Sequence, residues 1–454
     1  CPRSGGGLCG RGQSVSDYLL ACRTRSTLVT QPYDCGRTAS TVHILLSSDV
    51  RTGNEAGFDV ELNTLKDQLV GGALDDQIRR VYAAEPAELQ SARTRLVSLL
   101  DRFQADFGGE EAGLFSAPGR TEMGGNHTDH QRGHVLAGSV NLDMAACAGR
   151  NGLRIIRVLS DGYPQLELDS AELDPIPAEK GTSAALVRGV CRAMRDRGYV
   201  IEGWDACITS NVPGGSGLSS SAAYEILVGT IVNHLFCNDE LTPVELAQIG
   251  QYAENVFFGK PSGLMDQMAS SLGNVVHIDF ADPARPVVQP VNFDMAASGH
   301  VLCIVDSGAD HADLTDEYAA VTDEMRAVAQ HFGQQYLSEV PAADFWGDLR
   351  GVRASAGDRA VLRAAHFFDD NARVPLQAAA LAEGRFADFL ELVSASGVSS
   401  AMQLQNLFST SQPQQQAVGV SLALAAHLLG GRGAVRVHGG GFAGTIQAYV
   451  PTEM

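Results

Sequence analysis

The stretch VPGGSGLSSSAAYEIL, residues 212–227, says more about the fold than any other segment of the chain. Gly214, Gly215 and Gly217 come first, a run of serines at 219–221 follows, and a long apolar segment continues from it. Glycines let the backbone approach a ligand closely, and the free N–H groups at a helix start favour a phosphate. On its own the stretch fits a plain glycine-rich turn with a serine cap equally well, and it lacks the Walker A pattern.

The bulk composition is that of a globular protein. The chain has 454 residues, of which 44% are hydrophobic and 19% charged, enough for two or three domains. Its net charge of −20 argues against a general nucleic-acid or membrane-surface binder, because both partners are polyanionic. Binding of a small anion in a local positive pocket remains compatible with this net charge. We find no apolar run long enough for a transmembrane helix and no signal peptide, and we expect a cytoplasmic protein.

The cysteines and the first segment set two further expectations. Nine cysteines are scattered without a CxxC pair, which is typical of reduced, buried thiols.

Residues 1–57 contain six Arg, no Lys and no sustained apolar period. We predict that this segment is disordered or is non-native sequence upstream of the true start. A regulatory extension is the alternative, and STVHILLSSDV within it could form a strand.

Order is expected to begin near Leu62, and the elements that follow favour an α+β fold. PAELQSARTRLVSLLDRFQADFG predicts a helix that ends at Gly108. Its apolar face consists of Leu89, Leu96, Leu99, Leu100 and Phe103. Further strands and helices alternate irregularly, without the βα rhythm of a parallel doubly wound sheet.

A second glycine-rich stretch, VHGGGFAGT, places Gly439, Gly441 and Gly444 in a GxGxxG spacing. A dinucleotide-binding fingerprint requires a helix directly afterwards. A β-like segment follows here, so we predict a glycine turn beside a ligand or beside another loop.

Two carboxylates lie in AENVFFGKPSGLMDQMASSLG, namely Glu254 and Asp266, and a Pro and a Gly break the helix before Asp266. A carboxylate behind such a break can be a general base or a metal ligand, although a lone Asp there is more often a helix cap. In APGRTEMGGNHTDHQRGHVLAGSVNLD, residues 117–143, His127 and His130 bracket Asp129. HxxH without further ligands is weak support for zinc.

In combination these segments resemble the GHMP sugar-kinase superfamily, and within it the galactokinases. Residues 117–143 look like the sugar-binding signature, and residues 212–227 look like the ATP phosphate-binding signature. VRVHGGGFAGT is similar to the C-terminal glycine-rich signature, and PSGLMDQ is similar to the galactokinase segment with the catalytic Asp. The likeness covers roughly residues 90–454.

The resemblance implies a two-domain α+β fold and a set of roles. A ribosomal protein S5 domain 2-like domain would span residues 58–299, and a ferredoxin-like domain would span residues 300–454. Arg120 would stabilise the transferring phosphoryl group and Asp266 would accept the proton of the sugar C1 hydroxyl. Ser221 and Glu254 would bind Mg²⁺. The sugar contacts would come from Asn126, His127, Thr128, Asp129 and Tyr318. The ATP phosphates would be held by Gly215, Ser216, Gly217, Leu218, Ser219, Ser220 and Ser221. The second-domain glycine turn would be Gly439, Gly440 and Gly441.

The sugar signature departs from the family pattern of Gly-Glu-His-Thr-Asp-Tyr. Asn126 replaces the Glu that meets the sugar C6 hydroxyl, Glu122 replaces an Asn, and His130 replaces the Tyr. Because Asn is neutral and can donate hydrogen bonds, it would tolerate a C6 carboxylate. Asp-His-Gln also resembles plant galacturonate kinases. Glu122 could reach back and restore the lost carboxylate, which keeps galactose first.

The resemblance therefore implies a galactokinase that uses ATP and Mg²⁺ to phosphorylate the C1 hydroxyl of galactose. Galacturonate or another hexose is the alternative substrate. A non-catalytic galactose sensor is the other class, and it is disfavoured because the serine-rich loop, Arg120 and Asp266 are all present. The expected partners are small molecules, with no nucleic acid and no membrane. Monomer and homodimer both stay open.

Overall fold

The computed structural model describes residues 25–26, 43–44, 60–82, 86–214, 217–309 and 314–454. Within these ranges the strands are β1 Arg25–Ser26, β2 His43–Ile44, β3 Val60–Glu61, β4 Glu111–Gly124, β5 His134–Arg150, β6 Ile155–Ser160, β7 Leu166–Asp169, β8 Trp204–Ser210, β9 Val275–Asp279, β10 Val287–Pro290, β11 His300–Asp306, β12 Ala434–Val437 and β13 Thr445–Pro451.

The α-helices in the same ranges are α1 Leu62–Val70, α2 Asp75–Tyr82, α3 Pro86–Phe107, α4 Ser183–Asp196, α5 Ser220–Phe236, α6 Pro243–Tyr252, α7 Met265–Leu272, α8 Thr315–His331, α9 Ala342–Gly347, α10 Leu349–Ala356, α11 Asp358–Ala382, α12 Phe386–Ser399 and α13 Ala417–Leu429. Two π-helical segments, Ala253–Phe258 and Ser400–Leu404, continue α6 and α12. No helix among the described residues is long and apolar enough to cross a membrane.

The larger sheet has nine strands and carries the sequence motifs at one end. Its main path runs β10-β9-β5-β8-β6-β7, and β4 pairs with β5, β2 and β3. The long antiparallel β4–β5 pair shifts register between Pro118 and Arg120 and again between Glu122 and Gly124. Such bulges bend a strand and re-aim its side chains, and here they occur in the part of β4 that bears the sugar signature.

Helices cover both faces of this sheet because successive strand residues point to opposite sides. Phe115 and Ala146 pack with α4–α7 in one core. Their neighbours Leu114 and Cys147 pack with α1–α3 in another. The motif loops therefore extend from a scaffold that is packed on two sides.

The smaller sheet is antiparallel, with strand order β1-β11-β13-β12. Its strand β11 begins at His300, where the sequence analysis placed the start of the second domain. A further core joins the two sheets, because Met123 and Leu136 pack in one cluster with Leu302 and Tyr449. The division at residue 300 itself stays a prediction.

Several sequence-based expectations can be compared with these elements. The helix predicted from residue 86 onward is confirmed as α3, and its five apolar residues are all buried. The β-like segment predicted after the second glycine-rich stretch is confirmed as β13, and the stretch itself connects β12 to β13. Of residues 1–57, the positions 25–26 and 43–44 form short strands. The remainder of that prediction lies outside the described residues.

Leu96 offers a test of the packing beneath the large sheet. It is fully buried in the core of α1–α3, so Leu96→Ala removes packed methyl groups and leaves a cavity. We expect the free energy of unfolding to fall by about 2–5 kcal/mol in a denaturant titration. The matched control is Leu376→Ala, where the same side chain is exposed on α11. Equal losses in the two variants would contradict the assigned packing.

Candidate functional site

The serine-rich loop leads directly into α5. Gly217 and Ser219 both adopt left-handed backbone conformations, with φ of 71° and 55°. A Cβ at Gly217 would lie 2.6 Å from Thr445 Oγ1, so glycine is required there for two reasons. The N–H groups of the first turn of α5 face the loop, as a phosphate site needs. Gly215 and Ser216 lie outside the described residues.

An ion pair joins β4 to α7 directly beside this loop. Arg120 Nε donates to Asp266 Oδ1 at 2.7 Å. A second guanidinium nitrogen of Arg120 donates to the Gly217 carbonyl, and Ser219 Oγ donates to the other oxygen of Asp266. The Arg120 N–H donates to the Leu218 carbonyl at 3.1 Å. The two predicted catalytic residues and the loop thus form one contiguous cluster.

The protonation state of Asp266 follows from these contacts. Burial alone would raise its pKa, but the Arg120 charge and the hydrogen bonds from Arg120 and Ser219 outweigh it and lower the pKa to about 2. The Asp266 side chain keeps 30% of its surface exposed, whereas Arg120 is almost enclosed. An ionised carboxylate that is partly exposed can accept a proton from a bound hydroxyl.

The predicted metal ligands are also in contact. Ser221 Oγ donates to Glu254 Oε1 at 3.2 Å, and Lys260 Nζ donates to the same oxygen at 2.9 Å. Gln267 Nε2 donates to the other Glu254 oxygen and to Glu225 Oε2, at 2.9 Å in each case. Burial, reinforced by the nearby Glu254 charge, raises the pKa of Glu225 well above its ordinary value.

This group of side chains fits Mg²⁺ better than a metal held by protein alone. Across the described residues no group of three or more His, Cys, Asp and Glu side chains could hold a metal ion. Mg²⁺ is commonly bound through one or two carboxylates together with substrate phosphates. Ser221 supplies a hydroxyl from the first turn of α5, and Glu254 supplies a carboxylate that contacts this hydroxyl.

The sugar-signature loop carries its polar side chains inward. His127 has a left-handed backbone, with φ of 60°, and its Nε2 lies 2.9 Å from the Gly440 carbonyl. Because a carbonyl only accepts, Nε2 must carry the hydrogen, which leaves Nδ1 as an acceptor. Burial, with the nearby positive charge of His130, lowers the pKa of His127 to about 3. His127 is therefore a neutral imidazole that can accept a hydroxyl hydrogen.

Asn126 and Thr128 are both fully buried and are bonded to protein atoms. Asn126 Nδ2 donates to the Gly439 carbonyl at 2.7 Å, and Thr128 Oγ1 lies 2.6 Å from the His134 carbonyl. Asp129 differs, because it accepts the His130 N–H with one oxygen while the other lies beside Gly263. A Cβ at Gly263 would come within 1.9 Å of that oxygen, so glycine makes room for Asp129.

The C-terminal glycine turn closes over the same loop. Gly439 and Gly441 have positive φ. The Tyr318 hydroxyl donates to the Gly441 carbonyl at 2.9 Å, and its ring packs edge-on against Phe442. A Cβ at Gly440 would lie 2.6 Å from the Tyr318 ring. The turn leads into β13 and not into a helix, in agreement with our rejection of a dinucleotide fingerprint.

Sequence reasoning missed several residues of this cluster. Glu225 is the one acid in the apolar helix α5, and that isolation was a usable signal. Lys260 is one of only three lysines in the chain, and this rarity was a second usable signal. His438, whose Nε2 lies 3.1 Å from Thr121 Oγ1, gave no such signal, because only the three-dimensional pairing of β4 with the turn reveals it.

Family models match both halves of the site. The model described as GHMP kinases N terminal domain matches residues 185–274, which include the phosphate loop and Asp266. The model described as Galactokinase galactose-binding signature matches residues 101–150. A galactokinase of Streptomyces coelicolor is 32% identical over 348 residues, which are 76% of this chain and 86% of that protein.

Solved structures agree with the α+β assignment. Lactococcus lactis galactokinase complexed with galactose is 25% identical, with a TM-score of 0.69, and the match covers 79% of this chain and 91% of that one. Streptococcus pneumoniae phosphomevalonate kinase, at 13% identity and a TM-score of 0.52 over 74% and 92%, shares the fold. These likenesses confirm the expected fold class and resemblance: the chain belongs to the galactokinase family of the GHMP kinases and is an ATP-using sugar kinase.

Proposed function

We propose that this chain phosphorylates the C1 hydroxyl of galactose with ATP and Mg²⁺. The observation that carries the proposal is the cluster of Arg120, Asp266 and Ser219 beside the start of α5. Phosphoryl transfer depends on positioning and charge neutralisation more than on covalent chemistry. A cation, a proton acceptor and a phosphate-binding helix start within hydrogen-bonding reach of one another meet that requirement.

The proposed reaction is an in-line transfer. The C1 hydroxyl hydrogen passes to Asp266 as the C1 oxygen bonds to the γ-phosphorus and the bond to ADP breaks. Arg120 holds Asp266 ionised and offsets the charge that develops on the phosphoryl oxygens. Gly217–Ser221 backbone groups receive the phosphates together with residues 215–216. Bound Mg²⁺, held by Ser221 and Glu254, would neutralise phosphate charge.

The proposed sugar contacts differ in kind. His127 and Asp129 would bind sugar hydroxyls directly, since Nδ1 of His127 and the carboxylate of Asp129 can accept hydrogens. Asn126 and Thr128 would contribute through the shape of the loop and Tyr318 through the glycine turn, because their polar groups bond to protein atoms.

Galacturonate is the second candidate substrate. Asn126 is neutral, and the carboxylate of Glu122 beside it forms an ion pair with Arg436, so its charge is offset. Because it is paired in this way, Glu122 does not by itself repel a sugar carboxylate. Glu122 also lies 3.1 Å from Asn126 Nδ2, as expected if it replaces the family carboxylate in position. The match to the galactokinase galactose-binding signature favours galactose.

We further propose a cytoplasmic location. The support comes from the five described cysteines, all of them free and four of them buried, which suits a reducing compartment.

A substrate panel tests the proposed function. Purified protein with Mg-ATP is assayed for ADP release with galactose, galacturonate, N-acetylgalactosamine and glucose. We expect turnover to be far higher with galactose, because the chain matches the galactokinase galactose-binding signature and is 32% identical to a galactokinase. A preference for galacturonate would instead identify the neutral Asn126 as the residue that determines sugar specificity. Absence of sugar-dependent turnover would reject catalysis and favour a sensor.

Asp266→Asn tests the proton acceptor, because it preserves the side-chain shape and removes the charge. We expect phosphoryl transfer to fall by about 10²-fold or more while ATP binding persists. Since the pKa of Asp266 is lowered to about 2, its protonation costs activity only as the pH falls towards that value. The parent kcat/KM should therefore show no acid limb from Asp266 above about pH 5. Exposed Asp282→Asn is the control, and undiminished transfer by Asp266→Asn would reject the role.

Ser221→Ala tests the metal assignment. The variant loses the hydroxyl that contacts Glu254, so a higher Mg²⁺ concentration should be required for half-maximal rate and for ATP binding followed by calorimetry. Ser394→Ala, an exposed helical serine, serves as the control. An unaltered Mg²⁺ requirement in Ser221→Ala would remove this residue from the proposed site.

A further inference from the structure

We propose that Glu122, Asn126 and Arg436 form a positioning unit that fixes the sugar-binding loop against the second sheet. The inference rests on the proposed sugar-kinase function and adds three residues that would act on the sugar through His127 and not by touching it. All three side chains are buried, and Arg436 on β12 and Glu122 on β4 are separated by 314 residues of sequence.

The hydrogen bonds of Asn126 leave its side chain one orientation. Its Nδ2 donates to Glu122 Oε1 at 3.1 Å and to the Gly439 carbonyl at 2.7 Å. Its Oδ1 accepts from Asn406 Nδ2 at 2.9 Å and from Ser400 Oγ at 3.2 Å. An amide has two donor hydrogens and two acceptor lone pairs, so every one of them is used. Rotation of the Asn126 amide by a half-turn would place Nδ2 against the Asn406 donor and Oδ1 against the Gly439 carbonyl acceptor.

The backbone of Asn126 is held as well. Its N–H donates to Asp370 Oδ2 and its carbonyl accepts from His366 Nε2, both at 2.9 Å and both from α11. Five of the six residues that hydrogen-bond to Asn126 therefore lie within residues 366–439. The loop takes its position from the part of the chain predicted to be the second domain.

The bonds of Asn126 also fix the backbone of His127, which is the next residue in the chain. A non-glycine residue in the left-handed region is strained and persists only where its surroundings hold it. On one side Asn126 is fixed by the bonds above. On the other, Thr128 Oγ1 bonds to the Gly125 and His134 carbonyls. The imidazole is thereby aimed with Nε2 at the Gly440 carbonyl, and Nδ1 is the atom that we propose as acceptor for a sugar hydroxyl.

The ion pair of Glu122 and Arg436 anchors this arrangement. A buried pair is a weak source of stability, because desolvation of both charges offsets their attraction. Its geometric effect is stronger: Arg436 holds the Glu122 carboxylate, and that carboxylate holds the Asn126 amide. Gln447 Nε2 fixes the same part of β4 by donating to the Glu122 carbonyl at 3.0 Å.

The test uses Glu122→Gln and the double variant Glu122→Gln with Arg436→Gln. The single variant leaves the Arg436 charge buried without its partner and should be destabilised, whereas the double variant removes both charges and should regain stability. In both we expect the KM for the sugar to rise about tenfold, with an unchanged KM for ATP. Glu383→Gln, which removes an exposed Glu that also pairs with an Arg, should leave both constants as in the parent.

Hydrogen exchange of the peptide covering residues 124–133 gives a readout that does not need catalysis. We expect faster exchange there in both variants and parent-like exchange in α3. If the single variant does not fold, the double variant carries the test. A parent enzyme that phosphorylates no sugar would reject the proposed function, and loop exchange would then decide the inference alone. Parent-like exchange in the loop, or a KM for ATP that rises in parallel with that for sugar, would overturn the positioning unit.

Discussion

The ion pair between Arg120 and Asp266 is the interaction on which the proposed catalytic arrangement depends. Its two residues come from the bulged end of β4 and from the first turn of α7. The same guanidinium also holds the Gly217 carbonyl, so a single cation ties strand, helix and phosphate loop together. An enclosed Arg without this carboxylate would carry a large desolvation cost. Each charge therefore offsets the desolvation cost of burying the other.

Local chemistry made some of the site predictable. A glycine and serine run before an apolar segment indicates a helix start, and that start occurs at Ser220. A Pro and a Gly before Asp266 indicate a new helix, which begins at Met265. The five-residue apolar face of α3 follows helical spacing and is buried as expected. These features depend on neighbours within a few residues, which a single sequence displays.

Other parts could not be read from one sequence because they depend on pairings between distant segments. The contact of Glu122 with Arg436 and that of His438 with Thr121 arise only when β4 packs against the second sheet. The π-helical segments Ala253–Phe258 and Ser400–Leu404 were also missed. Each widens the end of an α-helix and supplies a buried polar side chain to the site, since Glu254 accepts from Ser221 and Ser400 donates to Asn126. Such bulges leave no simple periodic signal and are frequent at functional sites.

The contact between His127 and Gly440 spans 313 residues of sequence. A contact over that distance carries a larger loop-closure entropy than the contacts within a local helix do. During synthesis the phosphate loop and the ion pair at Asp266 can be in place before the glycine turn has been translated. The last strands, β12 and β13, then complete the sugar side. A nascent chain therefore lacks the contact between His127 and Gly440 until β12 and the turn that follows it have been made.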